Sequence, residues 1–330
     1  MNRDRSADAR AHGGGHGEAA CRDCGSWAVT ADGFCEACGL RQPGSDEHAE
    51  AQLVVDGRPA LGAGISDPGL RRVHNEDAFA LAALPHGACA VVCDGVATAP
   101  GSREAARAAA QTASGVLLDR IAAGADPDEA TRQAVRRAGE AVAALAGAGG
   151  IGPGGPGPAC TFVSAVVAAG RVTVGWLGDS RAYWLSAAGS HPLTTDDSWA
   201  VQAVARGEAT AAAAWADRRA HMLTAWLGAD AGAFDAHLAA FEPDGPGLVL
   251  ICSDGLWNDL PDAAALASVA LGGTDGTAGT AGETGKARED GPLGAARRLV
   301  RAALDAGGHD NVTVVVIEFP PPDPTREPGR

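Results

Sequence analysis

Five short acidic motifs sit at the ends of apolar runs, and that pairing constrains the fold of this chain more than any other feature. They are Asn75-Glu76-Asp77, Asp94-Gly95, Gly178-Asp179-Ser180-Arg181, Ser253-Asp254-Gly255 and Asp310-Asn311. Three follow β-type runs that end at Cys93, Leu177 and Cys252, and a fourth precedes the run Val312–Ile317. Carboxylates at strand ends can converge at one edge of a sheet, where they repel each other unless cations sit between them. The acidic set therefore reads as a site for hard divalent cations. Taken singly, each Asp-Gly or Asp-Asn is also an ordinary turn pair after a strand.

A length of 330 residues suggests one large domain or two, and 46% hydrophobic residues can fill a sizeable core. A net charge of −15 argues against nucleic acid or an anionic membrane as partner, since either calls for a basic face. No apolar run reaches membrane-span length, and Met1–Ser6 lacks an apolar signal core, so a cytoplasmic protein is expected.

The eight cysteines divide into two groups. Cys21, Cys24, Cys35 and Cys38 form C-x2-C-x10-C-x2-C, each pair followed by glycine, a spacing that can surround one tetrahedral zinc. Iron could use the same ligands, whereas a disulfide pair suits a reducing compartment poorly. One structural Zn2+ is the expectation, and metal binding would supply most of the folding free energy of so small a unit. The loop from Ser26 to Phe34 has no Lys or Arg, so a protein contact is expected of the ribbon in place of a nucleic-acid contact. Cys89, Cys93, Cys160 and Cys252 lie in apolar runs and read as small buried hydrophobes.

Along the chain, 1–20 is polar and reads as disordered, 21–40 as the zinc ribbon and 41–60 as a linker. The globular domain is placed at 61–319, with a disordered insertion at 272–292 and a Pro-rich tail at 320–330. Leu61–Ser66, Ala88–Cys93, Cys160–Ala168, Arg171–Leu177 and Ala182–Ser186 read as strands. Ser102–Ala123 reads as an alanine-rich helix with Ser102 as N-cap. A second helix opens on Asp126 as cap, with Pro127 in its first position and Glu129 behind it. Its apolar stripe is Ala134, Val135, Ala138, Val142 and Leu145. Residues 197–227 read as mostly helical, and further helices fall at 262–271 and 293–306. Hairpins flanked by pairs of helices imply a layered α+β domain.

The order and wording of the motifs add a resemblance. The run from Ser66 to Asp77 resembles the opening signature of the metal-dependent protein serine/threonine phosphatases, the type 2C or PPM family. Val92–Gly95, Leu177–Tyr183, Cys252–Trp257 and Gly307–Thr313 are similar to its later signatures, in the family's order. Leu193–Ser198 and Trp226–Gly228 are similar to weaker landmarks, so the resemblance runs from about Leu61 to Phe319.

That resemblance implies a four-layer α-β-β-α sandwich of two antiparallel sheets, with two Mn2+ or Mg2+ ions at one edge. It implies that Asp94 bridges the ions, that Gly95 adds a carbonyl oxygen, and that Asp77 or Glu76 with Asp254 and Asp310 completes the inner and water-mediated shells. It associates Asp179 with a third, weakly held ion shared with Asp254. Arg72 would hold the substrate phosphate, its planar fork matching two phosphate oxygens, while Arg71 is expected to make only a surface salt bridge. The implied reaction is hydrolysis of phosphoserine and phosphothreonine in proteins, such as protein kinases or their substrates, by a metal-bridged hydroxide. Segment 197–230 would form a flap beside the site. Oxygen-only ligands suit manganese or magnesium and disfavour zinc.

One departure favours a rival reading. After Gly95 the family has further glycines and a Gly-Glu, whereas here the run is Val96-Ala97-Thr98-Ala99-Pro100-Gly101-Ser102. The alternative function is a catalytically weak pseudophosphatase that acts as a protein-binding module. Every matched carboxylate is nonetheless present. Cys35 to Arg41 matches the C-x5-R spacing of cysteine phosphatases, but Cys35 belongs to the knuckle. No G-x-S-x-G elbow or P-loop occurs.

Overall fold

The computed structural model describes residues 26, 35–38, 47–55, 58–148, 157–232, 235–272 and 291–319. The chain divides into Met1–Gln42 and Pro43–Arg330, and the fold below is that of the second unit. One sheet holds β1 (Ala49–Val55), β2 (Arg58–Asp67), β8 (Arg181–Leu185), β9 (His191–Pro192), β12 (Gly247–Cys252) and β13 (Val312–Phe319), in the order β1-β2-β13-β12-β8-β9. The other holds β3 (Ala78–Leu84), β4 (Gly87–Cys93), β6 (Phe162–Ala168), β7 (Arg171–Leu177) and β11 (His237–Phe241), in the order β11-β7-β6-β4-β3. A two-residue ladder joins β5 (Ala159–Cys160) to β10 (Leu227–Gly228). All of these pairings are antiparallel.

The apolar runs are continuous because both faces of their strands are covered, and the side chains still alternate with period two. In β4, Ala88, Ala90 and Val92 point into the core between the sheets, and Cys89, Val91 and Cys93 point toward helices. In β13, Val315, Ile317 and Phe319 face the inter-sheet core, while Val312, Val314 and Val316 face the opposite helices. Helices α1 (Ser102–Ala122) and α2 (Pro127–Ala148) cover one sheet. The other is covered by α5 (Asp254–Trp257), α6 (Ala263–Ala270) and a helix over Gly291–Asp305, here α7. The result is the α-β-β-α sandwich. Alanines 105, 106, 109, 110 and 113 form the buried face of α1, and their small side chains let the helix lie close against its sheet. Asp126 caps α2 as expected, its Oδ1 accepting from Asp128 and Glu129 N–H at 3.0 and 3.3 Å. The stripe Ala134, Val135, Ala138 and Val142 is buried there. Cys89, Cys93, Cys160 and Cys252 are all fully buried among apolar neighbours.

Several expectations change. The linker placed at 41–60 contains β1, which pairs with β2 from Ala49↔Ser66 to Val55↔Arg58. Its polar residues disguised an edge strand that needs only one apolar face. Most of segment 197–227 is not helical, with only α3 (Trp199–Ala205) and α4 (Ala211–Trp215) as short helices capped by the Ser198 and Thr210 side chains. Ser102 is not the cap of α1. Gly101 is, at φ 76°, and the Ser102 hydroxyl is turned to Glu76. The strands β3 and β11, unread in the sequence, complete the second sheet. Most of the predicted insertion lies outside the described residues, as do Cys21 and Cys24 and the tail from 320. Cys35 is buried and Cys38 exposed.

Candidate active site

Sheet register assembles the acidic set. Ala78, the first residue of β3, pairs with Cys93, the last of β4, so Asp77 and Asp94 leave adjacent strand ends side by side. In the facing sheet Cys252 pairs with Val314, and Ser253 N–H donates to the Thr313 carbonyl at 3.0 Å. This places Asp254 next to Asp310-Asn311. Asp179 follows β7, and its carbonyl accepts from the Trp257 indole at 2.9 Å.

Glycine is required where main chains cross here. A Cβ on Gly95 would stand 2.7 Å from the Glu76 carbonyl oxygen, and one on Gly255 would stand 2.0 Å from that of Asn311. These contacts explain the Asp-Gly pairs better than turn preference does.

Asp77 and Asp179 are buried, and Asp94 and Asp254 keep part of their surface open. Burial, and then the charge of Asp254, pushes the Asp77 carboxyl up to about 7 against hydrogen bonds from Ser253 and Thr313. Burial and Asp310 push Asp254 up to about 6. Asp94 is raised well above the ordinary carboxylate range by burial and then by Asp77, Asp254, Asp179 and Asp310. Asp179 is raised by burial and then by Asp254 and Asp196. Mutual repulsion of this kind is what a multivalent cation relieves.

The donor set fits such ions. Asp77 Oδ2 accepts from Ser253 Oγ at 2.7 Å, but Asp77 Oδ1 is buried with no hydrogen-bond partner. A buried carboxylate oxygen without a donor is costly unless something positive meets it. No group of three or more His, Cys, Asp or Glu among the described residues is already drawn into ligand spacing. The carboxylates converge through register, and like charge keeps them from closing a tighter sphere by themselves.

Around this cluster lies a hydrogen-bonded frame that the sequence reading missed. Ser253 Oγ also accepts from Thr313 N–H at 3.0 Å, and Thr313 Oγ1 shares a 2.7 Å bond with Ser66 Oγ. The Asn311 side chain accepts from Glu76 N–H at 2.8 Å and donates to the Pro68 and His74 carbonyls at 3.0 and 2.9 Å. Asp196 grips Arg181 through two bonds of 2.8 and 2.7 Å, and Asp197 accepts from Gly178 N–H at 2.9 Å. Arg181 also lies 3.5 Å over the Trp257 ring. The Leu193–Ser198 landmark thus locks the turn that carries Asp179. Short polar residues inside acidic motifs were the available signal for these roles.

Arg72 reaches the rim of the cluster, where its Nη2 donates to Asp310 Oδ2 at 2.5 Å with the guanidinium partly exposed. Arg71 is exposed. Glu76 accepts from the Ser102 hydroxyl. The run after Gly95 is held by backbone hydrogen bonds: Val96 N–H donates to the Ala159 carbonyl at 3.0 Å and Ala99 N–H to that of Val96 at 2.8 Å, while Gly101 supplies the left-handed turn into α1.

A sandwich of this layering with an acidic, arginine-rimmed edge has the build of a metal-dependent phosphohydrolase. The sequence model of the family Protein phosphatase 2C matches residues 71–272, and the chain belongs to that family. Its activity is that of a protein serine/threonine phosphatase. The crystal structure of the Mycobacterium tuberculosis serine/threonine phosphatase PstP/Ppp is similar at 25% identity and a TM-score of 0.59, over 78% of this chain and 98% of that one. The PPM Ser-Thr phosphatase MsPP from Mycobacterium smegmatis, solved with cacodylate, shows 28% identity and a TM-score of 0.58 over 78% and 98%. The catalytic domain of PstP solved with two manganese ions shows 25% identity and a TM-score of 0.55 over 78% and 97%. Nothing among curated proteins matches the chain. Among the described residues no helix is long and apolar enough to cross a membrane.

Proposed function

We propose that Asp77, Asp94, the Gly95 carbonyl, Asp254 and Asp310 hold two Mn2+ or Mg2+ ions, with Asp179 serving a weaker third, and that the substrates are phosphoserine and phosphothreonine proteins. The observation that carries this is the buried, mutually repelling carboxylate set with an unpartnered Asp77 oxygen. When bound, such ions make water nucleophilic at neutral pH and offset the charge of the transferring phosphoryl group.

The protein's own residues orient the substrate and the ligands. Arg72 stands where its fork can leave Asp310 for two phosphate oxygens, since the carboxylate it pairs with lies at the rim in partial contact with solvent. Ser253 fixes Asp77 from one side, and Asn311 fixes the backbone of Glu76 from the other. Asn258 holds Asp254 Oδ2 at 3.1 Å. Glu76, tied to Ser102, positions the segment that carries Asp77. The manganese pair in the PstP catalytic domain supports the choice of metal. The intact acidic set disfavours the pseudophosphatase reading.

Cys21, Cys24, Cys35 and Cys38 are proposed to hold one structural Zn2+ in a unit that contacts protein. Its support is the paired C-x2-C spacing.

The test is phosphate release from a phosphothreonine peptide. Chelator should stop it, manganese should restore it, and Asp254→Asn should lose nearly all of it. Chelator-resistant hydrolysis, or full activity in Asp254→Asn, would overturn the proposal.

A further inference from the structure

We infer that Glu47, just before β1, is a positioning residue that clamps the Asn75-Glu76-Asp77 segment in metal-binding geometry. The inference rests on the phosphatase reading above, but concerns a residue outside every motif that supports it.

Glu47 reaches Asn75 twice. Its Oε2 accepts from Asn75 N–H at 2.6 Å, and its own carbonyl accepts from Asn75 Nδ2 at 2.8 Å. The same Oε2 accepts from the Arg103 guanidinium on α1, and Oε1 lies 3.6 Å from His74 Nδ1. Asn75 passes the constraint on. Its Nδ2 donates to Ser66 Oγ at 2.8 Å, and its Oδ1 accepts from Asp77 N–H at 3.2 Å. Ser66 continues through Thr313 to Ser253, the donor to Asp77 Oδ2. Asp77 is therefore held at its backbone and its side chain by a network whose outer anchor is Glu47.

Packing does not replace this anchor. A cavity of about 420 Å³ opens along the segment, lined by Glu47, Ser66, Asn75, Asp77, Arg107 and Gln111 among others. A segment beside open space keeps its position through hydrogen bonds, and the Glu47 side chain is only 16% exposed, so its ion pair with Arg103 is shielded. Groups that orient metal ligands from outside commonly contribute about 10–100-fold in metal affinity or activity. Glu47 acts through Asn75, which places it at the lower end.

The experiment compares full-length wild type with Glu47→Ala, Glu47→Gln and Glu50→Ala. Manganese affinity is read by calorimetry, melting temperature with chelator present, and kcat and KM on a phosphothreonine peptide. Glu50, three residues further on in β1, is the control, since its contacts to Arg297 at 2.6 and 3.1 Å tie β1 to α7 without touching Asn75. Glu47→Ala should weaken manganese binding about tenfold and lower kcat with KM little changed. Glu47→Gln, which keeps an acceptor for Asn75, should recover part of both. Glu50→Ala should lower only the melting temperature. Unchanged manganese affinity in Glu47→Ala, or equal weakening in Glu50→Ala, overturns the inference. A wild type that ignores manganese would instead overturn the phosphatase site itself.

Discussion

Removing one hydroxyl, by Ser253→Ala, should cost this fold more than its size suggests. Ser253 Oγ donates to Asp77 Oδ2 at 2.7 Å and accepts from Thr313 N–H at 3.0 Å, and all three residues are buried. Alanine leaves the Thr313 N–H without a partner, at a cost of about 1–3 kcal/mol. It also strips Asp77 of its Ser253 donor while Oδ1 is already unpartnered. A hydrogen bond to a charged group contributes about 1.5–3 kcal/mol, and only the ionised fraction of Asp77 loses it. The combined loss is roughly 2–5 kcal/mol, or about 4–20 °C in melting temperature at the ~2–4 °C per kcal/mol of a domain this size. The assay is denaturant unfolding with chelator present, followed by tryptophan fluorescence. The midpoint should fall while the slope holds, the pattern of lost stability without a change in denatured-state compactness. Without the Ser253 donor Asp77 is pushed still higher, so manganese binding should suffer more at pH 6 than at pH 8. A loss below about 0.5 kcal/mol, the range of neutral surface changes, would refute the reasoning.

Three further outcomes follow from the same cluster. Asp94→Asn should abolish phosphopeptide hydrolysis and yet raise the melting temperature of the chelated protein, because it removes a buried charge that its neighbours repel; a lower melting temperature would contradict this. Stability of the chelated protein should fall as pH rises. Asp77 and Asp254 have folded pKa values raised from 3.8 to about 7 and about 6, so their contribution is complete below about 4 and lost through pH 6–7. Glu47 opposes them at the acid end: burial favours its neutral form, but Arg103 and Asn75 hold it at about 2, so its contribution is present above 4.5 and lost on falling toward 2. Melting curves from pH 3 to 8 with chelator, repeated with manganese, check both signs, and saturating manganese should flatten the neutral-pH decline. Asp179→Ala should lower turnover about tenfold or more while the two tighter ions stay bound, on the scale of losing one positioning aid; normal turnover would make it only a turn residue.

Asp94, Asp179, Asp254 and Asp310 were legible in the sequence because each stands beside a run whose burial on both faces leaves an uninterrupted apolar signature. Asp94 after β4 and Asp254 after β12 are of this kind. What the sequence hid depended on partners far away in the chain. The Ser253–Asp77 bond spans 176 residues and the Asn311–Glu76 bond 235, and no local pattern announces either. The edge strand β1 was hidden by its half-polar composition, and β3 by small alanines that carry little β signal. Ser102 looked like a helix cap because serine commonly is one, yet Gly101 does that work and the hydroxyl serves Glu76. Segment 197–227 looked helical from its alanines, but its turns are held by the bonds Trp199 N–H to the Met222 carbonyl and Thr224 N–H to that of Asp197, each 2.8 Å, which helical spacing would not allow.

The central claim is that this acidic edge is a divalent-metal phosphatase site, and manganese titration by calorimetry tests it most directly. The account predicts two tight equivalents in wild type at pH 7.5, and their loss in Asp94→Ala with zinc content per chain unchanged. Binding in Asp94→Ala equal to wild type would contradict it.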